Sequence, residues 1–291
     1  MQPDLLHPSD LDPPDAAAWR ALQAGSPAFA SPLLGPAFAR AVGEVRQDAR
    51  VAVWRQDGRA VGFLPHHRRP NGFARPIGGP FSDYQALVSA PEFELSGGEA
   101  LREAGLRALR VGGLIDPEGL FAGSEADETP AYRIRLDANP EAGLERLRRA
   151  SRNGAKNHKR YARKLERDAG PLRLAGPDTD QAAFDRLLAW KSAQLKGTGL
   201  HDFLEVPWMR QLLQRLFEAR EGEFQGMLLS LYAGEVQVAG QFGVRLGGWF
   251  HPWIAAIHPD YSAYSPGHVF LWEAVAAMPS LGLSTFDLGP G

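Results

Sequence analysis

Tyr261-Ser262-Ala263-Tyr264-Ser265-Pro266-Gly267-His268 is the stretch on which the fold of this chain turns. It lies between an apolar run, 249–257, with the length of a strand, and a second apolar run, 266–278, with the length of a helix. Ser265 is placed as an N-cap, and Pro266 as the first helical residue, where a missing N–H costs nothing. Gly267 leaves room for a ligand to approach the backbone. The unsatisfied amides and the dipole of a helix N-terminus favour an anion at such a point. Ser-Pro-Gly also starts helices that bind nothing, so the cradle reading depends on the surroundings.

Working outward, three strands are expected at 226–232, 235–244 and 249–257, joined by the turns Ala233-Gly234 and Leu246-Gly247-Gly248, with a further strand at 283–288. Upstream lie helices at 207–219 and 180–196, then Pro171, Gly176 and Pro177 as punctuation, and before them one long helix, 139–168. The amino-terminal half reads as helices at 16–23 and 31–45, then strands at 50–54 and 60–65. Between those strands sits Gln56-Asp57-Gly58-Arg59, a hairpin turn because Asp-Gly supplies the required backbone angles. A Gly/Pro-rich loop at 75–84, a helix at 98–111 and a strand at 131–136 follow. Hairpin, loop, helix and strand thus occur in the same order in both halves, which suggests two copies of one α/β unit, divided into 1–137 and 138–291.

Composition narrows the class. Of 291 residues 44% are hydrophobic, and Lys+Arg 32 against Asp+Glu 34 leave a net charge of −2, which excludes both a disordered chain and a globally basic nucleic-acid binder. The absence of Cys excludes a disulfide framework, a thiol nucleophile and every Cys-based metal site. Residues 1–15 lack the basic and apolar regions of a secretory signal, and no apolar run reaches the roughly 18 residues needed to span a bilayer, so a cytoplasmic protein is expected.

The order of antiparallel strands, cradle loop, helix and strand resembles the core of the GNAT acyl-CoA transferases. More narrowly, it resembles the bacterial acetyltransferase-like family associated with cellulose and exopolysaccharide biosynthesis, which has two GNAT-like units and is related to the Fem peptidyltransferases. The matching pieces are Ile77-Gly78-Gly79-Pro80-Phe81-Ser82-Asp83-Tyr84, a basic helix at 148–167, Trp190-Lys191 to Gly199, Ala263-Tyr264-Ser265-Pro266-Gly267 and Thr285-Phe286-Asp287-Leu288-Gly289. The resemblance implies an α/β fold of tandem GNAT-like units, each a mixed, mostly antiparallel sheet flanked by helices. It implies a degenerate first unit on the acceptor side and a second unit that binds acyl-CoA. Members continue past the Asp-Leu-Gly strand, so the second unit is expected to lack its last strands. The implied reaction is acyl transfer, in the simplest case from acetyl-CoA as donor substrate, to an amine or hydroxyl of a sugar or polysaccharide precursor. A Fem-like aminoacyl-tRNA-dependent transferase and a catalytically silent scaffold module of glycan synthesis are the alternatives.

On this reading Ile254, Ala255, Ala256, Ile257, Tyr264, Ser265, Pro266, Gly267 and His268 are expected to hold the coenzyme, with a strand N–H polarising the thioester carbonyl. Direct transfer also needs a group to take the acceptor's proton. Candidates are Asp83, Tyr84, Lys191, His251, Tyr264, His268 and Asp287; Asp83, Tyr84 and Lys191 are carried forward as catalytic, although no spacing singles out one residue. The expected acceptor site lies between the two units. His66 and His67 are adjacent on a strand, so their side chains point to opposite faces, and no other His has a metal-ligand spacing; no metal is expected. Trp190 and Trp272, inside helices, read as core.

Residues 146–167 hold ten basic residues against the single acid Glu166, a net +9 that leaves −11 on the remainder. Leu144, Leu147, Ser151, Gly154, His158, Tyr161 and Leu165 recur at spacings of three and four and form one face; the bases occupy the rest. Such a helix is either a solvated face with one buried stripe or an anion-binding surface. The absence of interleaved aromatic residues ranks nucleic acid low.

Overall fold

The computed structural model describes residues 2–124, 127–136, 139–219 and 221–290. The chain divides into two compact units, one up to Ala131 and one of Tyr132–Gly289. The expected division after residue 137 falls on Asp137 and Ala138, which lie outside the described residues.

The first unit runs β1 (Asp4–Leu6), α1 (Pro13–Gly25), α2 (Pro36–Gly43), β2 (Ala49–Gln56), β3 (Arg59–Arg68), β4 (Phe73–Pro76), β5 (Val88–Ser89), α3 (Gly97–Glu103) and β6 (Ala108–Leu109). Its sheet has the order β1-β2-β3-β4-β6, with β5 added on β3. The pairs are antiparallel except β4–β6, which is parallel. The β2–β3 hairpin closes on Asp57 and Gly58 at φ 50 and 78, angles that suit Asn, Asp and Gly. Helix α1 starts on Asp12, whose side chain accepts from the Asp15 amide. Its Trp19 stacks on Phe63 of β3 at 5.0 Å and donates to Leu34 O at 2.9 Å, so a large apolar surface is buried with its one polar atom satisfied.

Three expectations need correction here. The helix placed at 98–111 stops at Glu103, because Gly105 turns left-handed (φ 66) and releases Ala108–Leu109 into a strand. The loop placed at 75–84 begins inside a strand, β4. The helix placed at 31–45 is a short 3-10 turn, Pro32–Leu34, and then α2, which restarts at Pro36.

The second unit runs β7 (Ala131–Arg135), α4 (Pro140–Ala150), α5 (Arg152–Ala169), β8 (Leu172–Ala175), α6 (Gln181–Gly197), α7 (Pro207–Glu218), β9 (Phe224–Ala233), β10 (Val236–Leu246), β11 (Trp249–Ile257), α8 (Pro266–Ala277) and β12 (Thr285–Pro290). Its sheet order is β7-β12-β11-β10-β9-β8. The β8–β9, β9–β10 and β10–β11 pairs are antiparallel, and β11–β12 is parallel. Both units therefore hold a mixed sheet flanked by helices.

One face of the second sheet packs Met227, Leu229, Leu231 and Phe250 against Leu165 of α5 and Val269, Phe270, Ala274 and Val275 of α8. On α6 and α7, Phe184 stacks on Phe217 at 4.3 Å and meets Phe242 of β10 edge-on at 4.9 Å. The long basic helix is two helices, because Ser151 leaves helical geometry at φ −119, ψ 59. The segment read as punctuation at 171–177 contains β8.

Candidate active site

The parallel ladder between β11 and β12 is short: among the described residues it joins Trp249 to Thr285 and Phe250 to Phe286. Beyond Phe250 the two strands part, while β11 stays paired with β10 as far as Ile257 opposite Ala239. The β10 ladder carries a bulge: Gly243 faces Pro252 and Phe242 faces Ile254, so Trp253 is inserted between them. Gly243 is required there, since a Cβ would collide with His251 O and Pro252 Cα. Strand β11 thus presents, past residue 250, an edge that β12 does not cover, and an uncovered edge offers N–H and C=O groups for pairing.

A cavity of about 560 Å³ opens at that end of the sheet. Its wall is formed by Ala255, Ala256 and Ile257 of β11, Ala239, Gly240 and Gln241 of β10, Trp190, Ala193 and Gln194 of α6, Pro259, and Gly267 and Phe270 of α8. The space exists because small residues meet there: Gly240 lies opposite Ala256, and Ala239 and Ala255 flank that pair on their strands. Volume and apolar lining both suit an extended organic ligand.

At the start of α8 the detail differs from expectation. Ser265 precedes the helix in a left-handed conformation, φ 52 and ψ 50, and its side chain makes no cap bond. Its carbonyl instead accepts from the His268 amide at 3.0 Å and the Val269 amide at 3.3 Å, while its own amide donates to Ser262 O at 3.0 Å. Pro266 has no N–H. Of the first-turn amides, that of Gly267 is left to point out of the helix end, at a residue on the cavity wall. A Cβ on Gly267 would come within 3.4 Å of Ile257 Cγ2, so even a small side chain enters this corner.

The other coenzyme candidates are placed as follows. Ile254 is fully buried and Pro266 is buried. Tyr264 sits under Lys164, whose Nζ is 4.7 Å from the ring, and its hydroxyl is pushed up in pKa by burial and by Asp168. His268 turns away to α5, with Nε2 3.0 Å from Gly154 O and its ring edge-on to Tyr161. Ala255, Ala256, Ile257 and Gly267 are the expected residues that line the cavity.

Lys191 lies between the wall residues Trp190 and Gln194 on α6, and its Nζ donates to Gln194 Oε1 at 3.4 Å. Burial lowers its pKa, which raises the fraction of neutral amine able to accept a proton. Asp83 and Tyr84 belong to the first unit. Tyr84 is 6% exposed, with its carbonyl accepting from Ser82 Oγ at 3.0 Å, and Asp83 is half-buried. His251 and Asp287 are fully buried; Asp287 accepts from Trp249 Nε1 at 3.2 Å and from the Gly289 amide at 3.0 Å, and lies 3.7 Å from His251 Nδ1.

Sequence reading missed Trp190, Ala193 and Gln194, and the β10 wall. Trp190, read as core, is half-buried with its ring edge-on to His258 at 5.3 Å. The signal for β10 was the small pair Ala239-Gly240 set opposite Ala256-Ile257. Among the described residues no group of three or more His, Asp or Glu is placed to hold a metal ion, and no helix is long and apolar enough to cross a membrane.

Helix α5 packs on α8 through the small and apolar face anticipated above. A Cβ on Gly154 would come within 3.3 Å of Trp272, His158 contacts Glu273 at 2.8 Å and stacks on Trp272, and Leu165 is fully buried. Arg152, Lys156, Lys159, Arg160, Arg163, Lys164 and Arg167 are exposed. Arg167 pairs with Asp168 at 2.7 Å; on α4, Arg149 pairs with Glu145 at 3.1 Å.

The fold has solved counterparts. The C-terminal domain of a protein described as a lysylphosphatidylglycerol synthetase from Agrobacterium fabrum superposes with a TM-score of 0.55 at 13% identity, over 95% of this chain and 78% of that one. A tandem GNAT protein from the clavulanic acid biosynthesis pathway gives 0.51 at 14% identity, over 99% and 90%. FemX gives 0.50 at 11% identity, over 84% and 79%. At these identities the likeness is one of fold. No curated protein sequence matches the chain. A family model described as acetyltransferase (GNAT) domain matches residues 127–291, more than half of the chain and the whole of the cavity wall, and by that match the chain belongs to the GNAT acetyltransferase-domain family.

Proposed function

We propose that the protein transfers an acyl group, acetyl in the simplest case, from acyl-CoA to an amine or hydroxyl of a sugar or polysaccharide precursor, within the exopolysaccharide-associated branch of the family. The observation that carries the reading is the apolar cavity at the uncovered edge of β11, bounded by the Gly267 end of α8. The pyrophosphate rests at the Gly267 amide and the positive end of the helix. The pantetheine arm lies along the edge of β11, whose N–H groups polarise the thioester carbonyl. When the acceptor nitrogen or oxygen bonds to that carbon, the C–S bond breaks and coenzyme A leaves as thiolate. The acceptor's proton goes to Lys191, whose pKa burial lowers from the ordinary lysine value.

The exposed bases of α5 favour a second reading, a Fem-like transferase that takes its acyl group from aminoacyl-tRNA. Equilibrium binding of acetyl-CoA and of aminoacyl-tRNA to the purified chain decides between them. Uptake of acetyl-CoA alone supports the first reading and uptake of aminoacyl-tRNA alone the second; binding of neither leaves a scaffold module. In a transfer assay Lys191→Met lowers turnover by roughly a hundredfold with acetyl-CoA affinity unchanged, and a variant of parental rate removes Lys191 from the mechanism.

A further inference from the structure

The first unit carries a concavity that the acyl-transfer reading does not use. Its volume is about 440 Å³, and it is lined by Arg69, Phe73, Ala74, Arg75, Ala108 and Arg110. The β4–β6 ladder sets Phe73 opposite Ala108 and Ala74 opposite Leu109. Ala74 and Leu109 pack into the core with Leu106. Alternation therefore turns Phe73, Arg75, Ala108 and Arg110 to the other face of the sheet.

Two features of that face need an explanation. Phe73 is 52% exposed. Arg75 and Arg110 are exposed, and neither has a carboxylate in ion-pair range among the described residues. Arg69, by contrast, shares Asp48 with Arg46, at 3.3 and 2.6 Å. Gathering guanidiniums around one hollow costs free energy through mutual repulsion unless an anion offsets it. Guanidinium forks match the oxygens of phosphate, and a bare phenyl ring offers a stacking face to a flat ring.

We propose that the first unit binds a nucleoside diphosphate in this concavity, its phosphates on Arg75 and Arg110 and its base on Phe73. The diphosphate places its anionic groups on these two guanidiniums, which have no carboxylate partner among the described residues, with Arg69, already paired with Asp48, at the rim, and the heterocycle covers the exposed ring. A ligand of this class fits a cavity in the few-hundred Å³ range typical of small-molecule sites. The site is independent of the coenzyme cavity in the second unit, because no residue is shared between them.

The test is calorimetry on the full chain with UDP, pyrophosphate and uridine as probes. UDP is expected to bind saturably, pyrophosphate at least about fivefold more weakly, and uridine beyond detection. The double variant R75Q/R110Q should weaken UDP by roughly tenfold or more, and Phe73→Ser should weaken UDP while leaving pyrophosphate unchanged, with acetyl-CoA affinity preserved in both. The proposal is overturned if the parent takes up no UDP, if R75Q/R110Q binds it as the parent does, if pyrophosphate or uridine equals UDP, or if acetyl-CoA displaces it. That last outcome would place the nucleotide in the coenzyme cavity. Unchanged thermal unfolding of the variants excludes loss of fold as the cause.

Discussion

Replacing Gly267 in steps separates bulk from charge at the point assigned to the pyrophosphate. The residue has ordinary helical backbone, and an added Cβ would meet Ile257 Cγ2 at 3.4 Å, a normal contact, so alanine is accommodated. Gly267→Ala should leave the fold as stable or up to about 1 kcal/mol more stable, through reduced freedom of the unfolded chain. One methyl takes little of a 560 Å³ cavity, and acetyl-CoA affinity should fall by no more than about threefold. Gly267→Gln adds a long side chain to the corner and should cost about tenfold, or about 1.4 kcal/mol. Gly267→Glu has nearly the same shape and adds a charge; at ~6 Å from a phosphate and an effective dielectric near 20, repulsion costs about 3 kcal/mol, or roughly a further hundredfold. That increment should shrink as salt is raised, whereas the glutamine penalty should not. Calorimetric titration of acetyl-CoA at low and high ionic strength reads all three. Parental affinity in Gly267→Glu, or equal affinity of the Gln and Glu variants at every salt concentration, would refute the placement of an anion at this helix end.

Converting Arg152, Lys156 and Lys159 together to Gln removes three exposed charges on a helix whose opposite face is packed against α8, so urea unfolding should change little. Affinity for the anionic ligand should drop and its salt dependence flatten; unchanged affinity across salt would make the face merely solvated. His66 and His67 are both lowered from 6.5 to about 4, chiefly by burial, so they stay neutral in the folded chain where the unfolded chain binds protons. Stability should be full above pH ~6.5 and fall as pH drops toward 4, by up to about 3 kcal/mol for each histidine. Urea midpoints from pH 7 to pH 4.5 measure this loss, which should be smaller in His66→Asn; a flat profile in the parent would contradict the burial argument.

Strand β11 was legible to the residue, because a nine-residue, mostly apolar run is bounded by Leu246-Gly247-Gly248 and His258-Pro259. Asp57-Gly58 likewise specified its turn. Short elements were not legible. Strands β1 and β8 hold three and four residues, too few for a period of two to stand out, and they exist because β2 and β9 offer edges to pair with. The break at Ser151 interrupts a pattern whose apolar spacing continues across it, so periodicity reads straight through. In the candidate site the β11–α8 wall was visible as one contiguous stretch. The α6 and β10 walls were not, because a cavity forms where facing side chains are small, and that depends on which strands become neighbours. Ser265 shows the same limit: its type suits a cap, but its left-handed backbone turns the hydroxyl away from that role.

The brief contact between β11 and β12 gives the second sheet an unusual mechanical character. Strands β8 to β11 are tied by long ladders, and β7 and β12 form a separate leaf joined to them at two residue pairs among the described residues. A pantetheine arm laid into the gap, as proposed above, would act as an interior strand of that sheet: it would take up hydrogen-bonding positions that no protein pair has to vacate and tie the two leaves where they part. With the coenzyme placed as proposed, binding would complete a ladder, and the stiffness of the sheet itself would become a readout of occupancy.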